Sequence, residues 1–318
     1  MGFQGQAGME DLTRALFGPG VRLFPVYLLA TVIIAFAIYQ ATKPGKPFLK
    51  WLLPREVWRH PSTLLDVKLF AVTRGLFFLG IFNQFAVTNA ASILVVSALL
   101  GRAESGDPAN PLLVGFFALL VNDFGVYWVH RLHHDCTSLW PFHAVHHSAE
   151  VMTPITTYRK HPVYDLISSV VRGAFYGVLQ GTVIAVFFGP MAATTIVGIN
   201  LFYFVFNLLG SNLRHSHIWL SYGRVLDHIL ISPAQHQIHH SRAPRHHNKN
   251  YGEVLAIWDW IFGTLYVPKQ AEALEFGLAD PSGRPLPQPH NSLKEALVEP
   301  LEQFAEPLRG HFLSVRKK

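Results

Sequence analysis

The sequence predicts an all-α, polytopic membrane helical protein of about four or five spans, with a cap of helices on one face that carries a cluster of histidines. Three observations predict it. Half of the 318 residues are hydrophobic and only 14% are charged, whereas an ordinary soluble domain carries about 25% charge. Too little polar surface remains to coat a soluble globule, which points to lipid. The apolar residues fall into long runs joined by short polar or basic links. Finally, all histidines except His60, His290 and His311 lie between His130 and His247, in knots at the ends of apolar runs.

Residues 1–20 read as an N-terminal segment. The first span covers about 21–40; its apolar run is long and no small-residue cleavage site follows, so it reads as an anchor and not a removable signal. Lys43, Lys46, Lys50, Arg55 and Arg59 then form a basic linker, which the positive-inside rule keeps in the cytoplasm. The stretch 69–100 is long for one helix and fits one tilted span, or a span plus an interfacial helix. The loop 101–110 sets Glu104 and Asp107 against Arg102, consistent with the opposite side. Pro111 opens the third span and delivers His130 at its cytoplasmic end. Two further spans, about 166–188 and 191–209, form a hairpin around Gly189-Pro190 and return the chain to the same face before His215. The embedded unit therefore covers 21–267, and 268–318 reads as a polar cytoplasmic tail with a terminal helix near 292–304.

The single cysteine, Cys136, excludes an internal disulfide framework and any Cys-rich zinc or iron–sulfur site. A net charge of +6 and a pI near 9.4 would suit nucleic acid. The basic residues, however, cluster beside the apolar spans and form no stripe, so no nucleic-acid partner is expected.

The knots read His130-Arg-Leu-His133-His134, His143-Ala-Val-His146-His147-Ser148 and His236-Gln-Ile-His239-His240-Ser241. Residues i, i+3 and i+4 of a helix share a face, so each HxxHH is expected to aim three imidazoles at one point, and His130 and His134 do likewise. Ser232-Pro233-Ala234-Gln235 supplies an N-cap serine, a proline at the first helical position and a capping-box glutamine before the last knot. The common reason for such clusters is metal, since imidazole binds zinc, iron, copper and nickel well. His130, His134, His143, His146, His147, His236, His239 and His240, with His161 and His215 as further candidates, are too many for one ion and about right for two. A dinuclear site with open positions, just below the membrane surface, suits O2 activation against a lipid C–H bond. Neutral imidazoles leave the ionic charge uncompensated, so carboxylates should support the ligands. Asp123 is the foremost candidate, within an apolar span and two turns before His130; Asp135, Glu150 and Asp259 are weaker ones.

Other histidines have plainer readings. His133 reads as a supporting or surface residue, His228 as an ordinary helix residue, and His246 and His247 as a solvated basic patch beside Arg242, Arg245 and Lys249. His60, His290 and His311 stand alone. Paired axial haem ligands would face each other singly across spans, a metal transporter would place ligands at the bilayer midplane, and a zinc hydrolase would show a glutamate as in HExxH. The sequence shows none of these patterns.

The run from Asp123 through Tyr127-Trp128 to His134, the two HxxHH-Ser boxes, and the closing Asn250-Tyr251-Gly252 and Trp258-Asp259-Trp260-Ile261-Phe262-Gly263-Thr264 resemble the fatty acid hydroxylase/sterol desaturase superfamily over about residues 60–268. The resemblance implies an integral-membrane non-haem di-iron enzyme that uses O2 and external electrons to hydroxylate or desaturate a membrane lipid, fatty-acyl or sterol-like substrate. The family's HxxxH box maps onto His130 and His134 and its HxxHH boxes onto His143, His146, His147 and His236, His239, His240. Its additional histidine matches His215 best, with His217 able to replace or join it, and His161 matches a His-Pro of some branches. The implied cofactors are two iron ions, with zinc as a misloaded substitute. The implied partner is an electron donor of cytochrome b5-, ferredoxin- or reductase-like type, for which Arg131, Arg159, Lys160, Arg242, Arg245 and Lys249 offer a basic docking face. Hydroxylation is expected over desaturation; the alternatives are a desaturase of the same family or a degenerate metal-binding protein without turnover. The histidine boxes are expected on the cytoplasmic side of a bacterial inner membrane or of the endoplasmic reticulum.

Overall fold

The computed structural model describes Thr13 and residues 16–81, 84–101, 110–188 and 197–315. Among these residues the fold is all-helical, and the extended pairings are the isolated bridges Leu230–Leu255 and Ala279–Pro285. The principal helices are α1 (Pro25–Thr42), α2 (Pro61–Phe78), α3 (Gln84–Leu100), α4 (Pro111–Asp135), α5 (Trp140–His147), α6 (Pro162–Ile167), α7 (Gly173–Val183), α8 (Val197–Leu208), α9 (Pro233–His239), α10 (Ile257–Ile261) and α11 (Leu293–Val315). Three stretches are long and apolar enough to cross a membrane: α1, Leu112–Asp135 within α4, and Pro162–Val186, in which the π-helical turn Ser168–Arg172 joins α6 to α7. The turn expected at Gly189-Pro190 and the acidic loop residues Glu104 and Asp107 lie outside the described residues.

The spans show their lipid-facing sides in burial. On α1, Tyr27, Thr31 and Ala35 recur every four residues and point inward, while Leu29, Ile33 and Phe36 are exposed. Such an apolar outer face belongs in hydrocarbon and not in water. The long stretch 69–100 resolves into two helices. Gly80 has φ +75°; its N–H donates to Phe77 and that of Ile81 to Leu76, the left-handed stop that ends α2. α4 starts as expected at Pro111, where Asn110 Oδ1 accepts the N–H groups of Leu112 and Leu113 at 3.0 and 3.4 Å. α3 lies along α7 at close range. A Cβ on Gly177 would stand 2.5 Å from the Thr88 carbonyl oxygen, and one on Gly181 2.7 Å from that of Ser92. Gly177 and Gly181 thus form the small-residue pair that lets two apolar helices touch backbone to backbone.

The histidine cap sits at the end of α4 and comprises α5, α9, the turn Ser211–His215 and the segment around α10. The core of Leu119, Phe206, Val254 and Leu255 fastens that segment to α4 and α8. Arg159 is wholly buried beneath α5. It donates to the Val145 carbonyl at 2.7 Å, to Ser148 Oγ at 2.9 Å and to Asp66 of α2 at 2.9 Å. A buried guanidinium is tolerable only when so fully bonded, and these bonds lock the second histidine box to α2. The polar region after 268 is docked: Ala296 joins Leu65, Leu69 and Val145 in one core, and the Gln288 side chain donates to the Ser148 carbonyl at 2.7 Å.

Candidate metal centre

α4 delivers His130 and His134 at its last turns, α5 carries His143, His146 and His147, and α9 carries His236 and His239, with His240 at its end. Ser232 and Gln235 close the expected capping box at the start of α9. Nine of the ten candidate ligands converge, but on two points and not on one per box. His130, His134, His143, His147 and His239 form one group; His146, His215, His236 and His240 form the other; within each group the ligand atoms lie within 4.8 Å of one another. The reason is helical pitch. Positions i and i+4 differ by about 40° around the axis, whereas i+3 and i+4 diverge by about 100°. Each HxxHH therefore sends its i, i+4 pair to one group and its i+3 imidazole to the other.

The donor set fits cations. His143 Nε2 lies 3.0 Å from His130 Nε2 and 3.1 Å from His147 Nε2. His215 Nε2 lies 3.3, 3.2 and 3.1 Å from the Nε2 atoms of His146, His240 and His236. A ring nitrogen holds either one proton or one lone pair, so His215 Nε2 can satisfy only one of three neighbours by hydrogen bonding. The other contacts are left without a matched donor and acceptor. The Nε2 atoms of His134 and His239 are also buried without a hydrogen-bond partner among the described residues. Imidazole nitrogens held about 2.1 Å from one ion stand at most about 4.2 Å apart, the scale of these groups. Burial holds His143, His146, His147, His215, His236 and His240 well below the usual histidine value, with neighbouring imidazoles adding to it, and lowers His239 to about 4. They are neutral at pH 7, the form that ligates metal.

The supports are chiefly backbone oxygens. His130 Nδ1 is 2.8 Å from the Tyr251 carbonyl and His239 Nδ1 2.7 Å from that of Lys249; donation there fixes the tautomer that leaves Nε2 free. His215 Nδ1 meets Thr157 Oγ1 at 3.1 Å. Asn250 holds the carbonyl-bearing loop from a left-handed backbone, φ +57°, by donating to the carbonyls of Gln235 and Tyr266. Asp259 accepts the N–H groups of Tyr251 and Gly252, each at 2.8 Å, and the Thr264 hydroxyl at 2.6 Å. A Cβ at Gly252 would lie 2.9 Å from the Asp259 carboxylate, so glycine is needed there. Carbonyl acceptors have no residue signature, which is why the sequence did not reveal them.

Asp123 does not support an imidazole. Its carboxylate accepts from the N–H groups of Val254 and Leu255 and from Trp258 Nε1, at 2.9, 2.8 and 3.1 Å; it is a fully buried clamp between α4 and the α10 segment. His161 stands outside both groups: its Nδ1 accepts Val163 N–H at the start of α6 and its Nε2 is 3.0 Å from the Leu297 carbonyl. His133 packs on Tyr164 at 4.4 Å with Nδ1 on the Val129 carbonyl, and His217 meets the Trp51 carbonyl. His246 is fully buried, 3.1 Å from the Glu272 carboxylate, and so is no solvated patch. The basic docking face is also reduced. Arg159 is buried, and Arg131, Arg242 and Arg245 are paired with Asp135, Glu275 and Glu272.

Two cavities border the centre, each lined by different histidines. One, of about 330 Å³, lies against His134, His147, His239 and His240 and is bounded by Trp140 and residues 277–279. The other, of about 200 Å³, reaches His130, His143, His146, His215 and His236 from the side of Val126, Tyr164 and Arg172, where the apolar helices end.

Residues 115–264 match the family model for fatty acid hydroxylase. The chain is similar to an ornithine lipid hydroxylase of Rhizobium tropici, 34% identical over 160 residues that make up 50% of this chain and 44% of that protein. It is 32% identical to the alkylglycerol monooxygenase of Homo sapiens over 52% of this chain and 33% of that one. It is 29% identical to a Delta(7)-sterol 5(6)-desaturase of Gibberella zeae over 53% of this chain and 49% of that one. The chain thus spans less than half the length of each of these relatives. No solved structure matches it. Residues 115–264 thus carry a match to the fatty acid hydroxylase family, and the relatives agree with the resemblance to the fatty acid hydroxylase/sterol desaturase superfamily read from the sequence.

Proposed function

We propose that the protein is an O2-dependent di-iron oxidoreductase that hydroxylates a membrane lipid, fatty-acyl or sterol-like substrate with electrons from a separate donor protein. The observation that carries the reading is the pair of buried imidazole groups, five and four strong, set against a cavity where the apolar helices end. His130, His134, His143, His147 and His239 would hold one ion, and His146, His215, His236 and His240 the other. Iron bound there supplies the means to activate O2 for attack on an unactivated C–H bond. The chain positions and shields. The carbonyls of Lys249 and Tyr251 orient His239 and His130, and burial keeps bulk water from the ring nitrogens. The 200 Å³ cavity lets substrate approach from the apolar helices, and the other cavity, beside Trp140, offers a route for the small reactant. Hydroxylation is favoured because the hydroxylase and monooxygenase relatives match at 34% and 32% against 29% for the desaturase. The basic linker at Lys43, Lys46 and Lys50 supports a cytoplasmic centre, in a bacterial inner membrane or the endoplasmic reticulum.

Elemental analysis of detergent-purified protein tests the reading. Two ions per chain are expected, with iron in the active form and zinc where overexpression misloads the site. One ion or none would refute the dinuclear assignment. Product analysis with a reconstituted donor then distinguishes an added hydroxyl from a new double bond.

A further inference from the structure

We infer that the 200 Å³ cavity is a head-group pocket for an oxygen anion, so that the substrate is a lipid with a carboxylate or phosphate only a few bonds from the carbon presented to the histidines; this rests on the lipid-oxidising reading above. Arg22, Lys160, Arg172 and Arg214 line the cavity, and among the described residues Glu253 is its one carboxylate. Arg214 is 3% exposed and donates to the carbonyls of Ile231 and Glu253, while its Nε is buried without a partner. Arg172 comes from the π-helical turn between α6 and α7 and gives its Nε to the Tyr176 hydroxyl at 2.9 Å. π-Helical turns are a frequent device for aiming a side chain at a functional site.

The charge at this place is unbalanced. Four cations face one carboxylate in the lining, and although Asp165 acts on Lys160 and Arg172 and Asp123 on Arg214 from outside it, positive charge stays in excess; the imidazoles bring no negative charge. Buried cations without counter-charge are costly, and metal on the histidines adds to the excess. A bound anion supplies what is missing, and the guanidinium fork matches carboxylate and phosphate oxygens in particular.

The route for the chain is also present. Arg22 and Glu253, paired at 3.3 Å, line both this cavity and a groove of about 660 Å³ bordered by Tyr27, Leu201 and Phe204. Their ion pair stands where groove and cavity meet. A lipid whose head reaches Arg172 and Arg214 would lie past that pair, with its alkyl chain in the groove and its head-proximal carbons beside the histidines.

Calorimetric titration of the detergent-purified protein, with metal content measured on the same preparation, tests this. The probes are hexyl phosphate, hexanoate, hexanol, hexylamine and inorganic phosphate. Hexyl phosphate and hexanoate should bind about tenfold or more tighter than hexanol or hexylamine, the scale of one hydrogen bond to a charged group. R172Q and K160Q should weaken hexyl phosphate, whereas E253Q should strengthen it. A folding defect would weaken binding in all three, so the opposite sign identifies the charge effect. Equal affinity for hexanol and hexyl phosphate, or weakening in E253Q, would overturn the pocket. Inorganic phosphate binding as tightly as hexyl phosphate would mean a free-anion site and would overturn the head-group assignment. Two ions per chain in the same sample would leave the proposed function standing in either case.

Discussion

His146 and His147 are sequence neighbours in one box, yet they face different groups. Alanine substitutions, singly and together, read out that partition. His147→Ala leaves four imidazoles in its group, enough to close a site, whereas His146→Ala leaves three, the number typical of an open one. Loss of a mere support for a ligand lowers metal affinity by about 10–100-fold, so loss of the ligand should cost about 100-fold or more. Against a chelator, H146A should retain about one ion per chain and H147A somewhat more. The decisive pair is two double variants. H146A/H147A weakens both groups, so the ion it still holds should be stripped at a lower chelator concentration than the one held by H146A/H240A. H146A/H240A removes two ligands from the four-histidine group alone and should keep one. The assay is elemental analysis of the monodisperse fraction from size exclusion, which sets aside misfolded protein. If H146A/H240A loses both ions while H146A/H147A keeps one, the sites follow the sequence boxes and the partition is wrong.

Three further outcomes are expected. Asp259→Asn cannot accept both the Tyr251 and Gly252 N–H groups as the carboxylate does; it should loosen the Tyr251 carbonyl under His130 and lower the affinity of the five-histidine group by about 10–100-fold, measured by chelator competition, with a smaller loss at the other group. Arg159→Met strands the buried Asp66 carboxylate and should destabilise by about 3–5 kcal/mol, read as thermal unfolding in detergent, whereas R159M/D66L should be milder; a double variant as unstable as the single would contradict the pairing argument. Acid should weaken the metal-free protein. The buried histidines have folded-state values below the unfolded value of about 6.5, so the unfolded chain binds more protons as pH falls, and stability present above pH 6.5 is lost below it. For His239 the gap from 6.5 to about 4 is worth about 3 kcal/mol, and unfolding temperatures that stay flat from pH 7.5 to 5 would show that the imidazoles are not buried in this way.

Periodicity exposed what repeats along one chain segment and missed what arises between segments. The apolar runs, the proline at the start of α4 and the capping box of α9 were legible because each is a local pattern with a local cause. The break at Gly80 was not, since the apolar run continues across it and only the left-handed backbone ends α2. The Gly177 and Gly181 pair carried a signal that went unused, because its meaning is a distance to α3. Asp123 was singled out correctly as a buried carboxylate but for the wrong partner. Its spacing from His130 places both on one face of α4, yet facing does not make contact, and the nearer donors are the backbone N–H groups of Val254 and Leu255. Arg159 looked like surface charge beside Lys160, and only the approach of α2 buries it.

The crossed sharing of the boxes bears on how the two groups work together. α5 gives two imidazoles to one group and one to the other, and α9 does the reverse. A displacement of either helix therefore disturbs both groups at once, and neither can be reshaped independently. The rings of His147 and His240, one from each group, lie stacked with centroids 4.5 Å apart. Separate boxes serving separate ions would need no such contact and would let each site vary alone. The arrangement instead makes the pair of sites one rigid unit, fixed by the Arg159 bonds under α5 and by the Asp259-held loop beside α9. Rigidity of this kind is what holding two ions at a set separation requires, and it predicts that ligand losses within one group are felt by the other as weakened affinity, not as independent events.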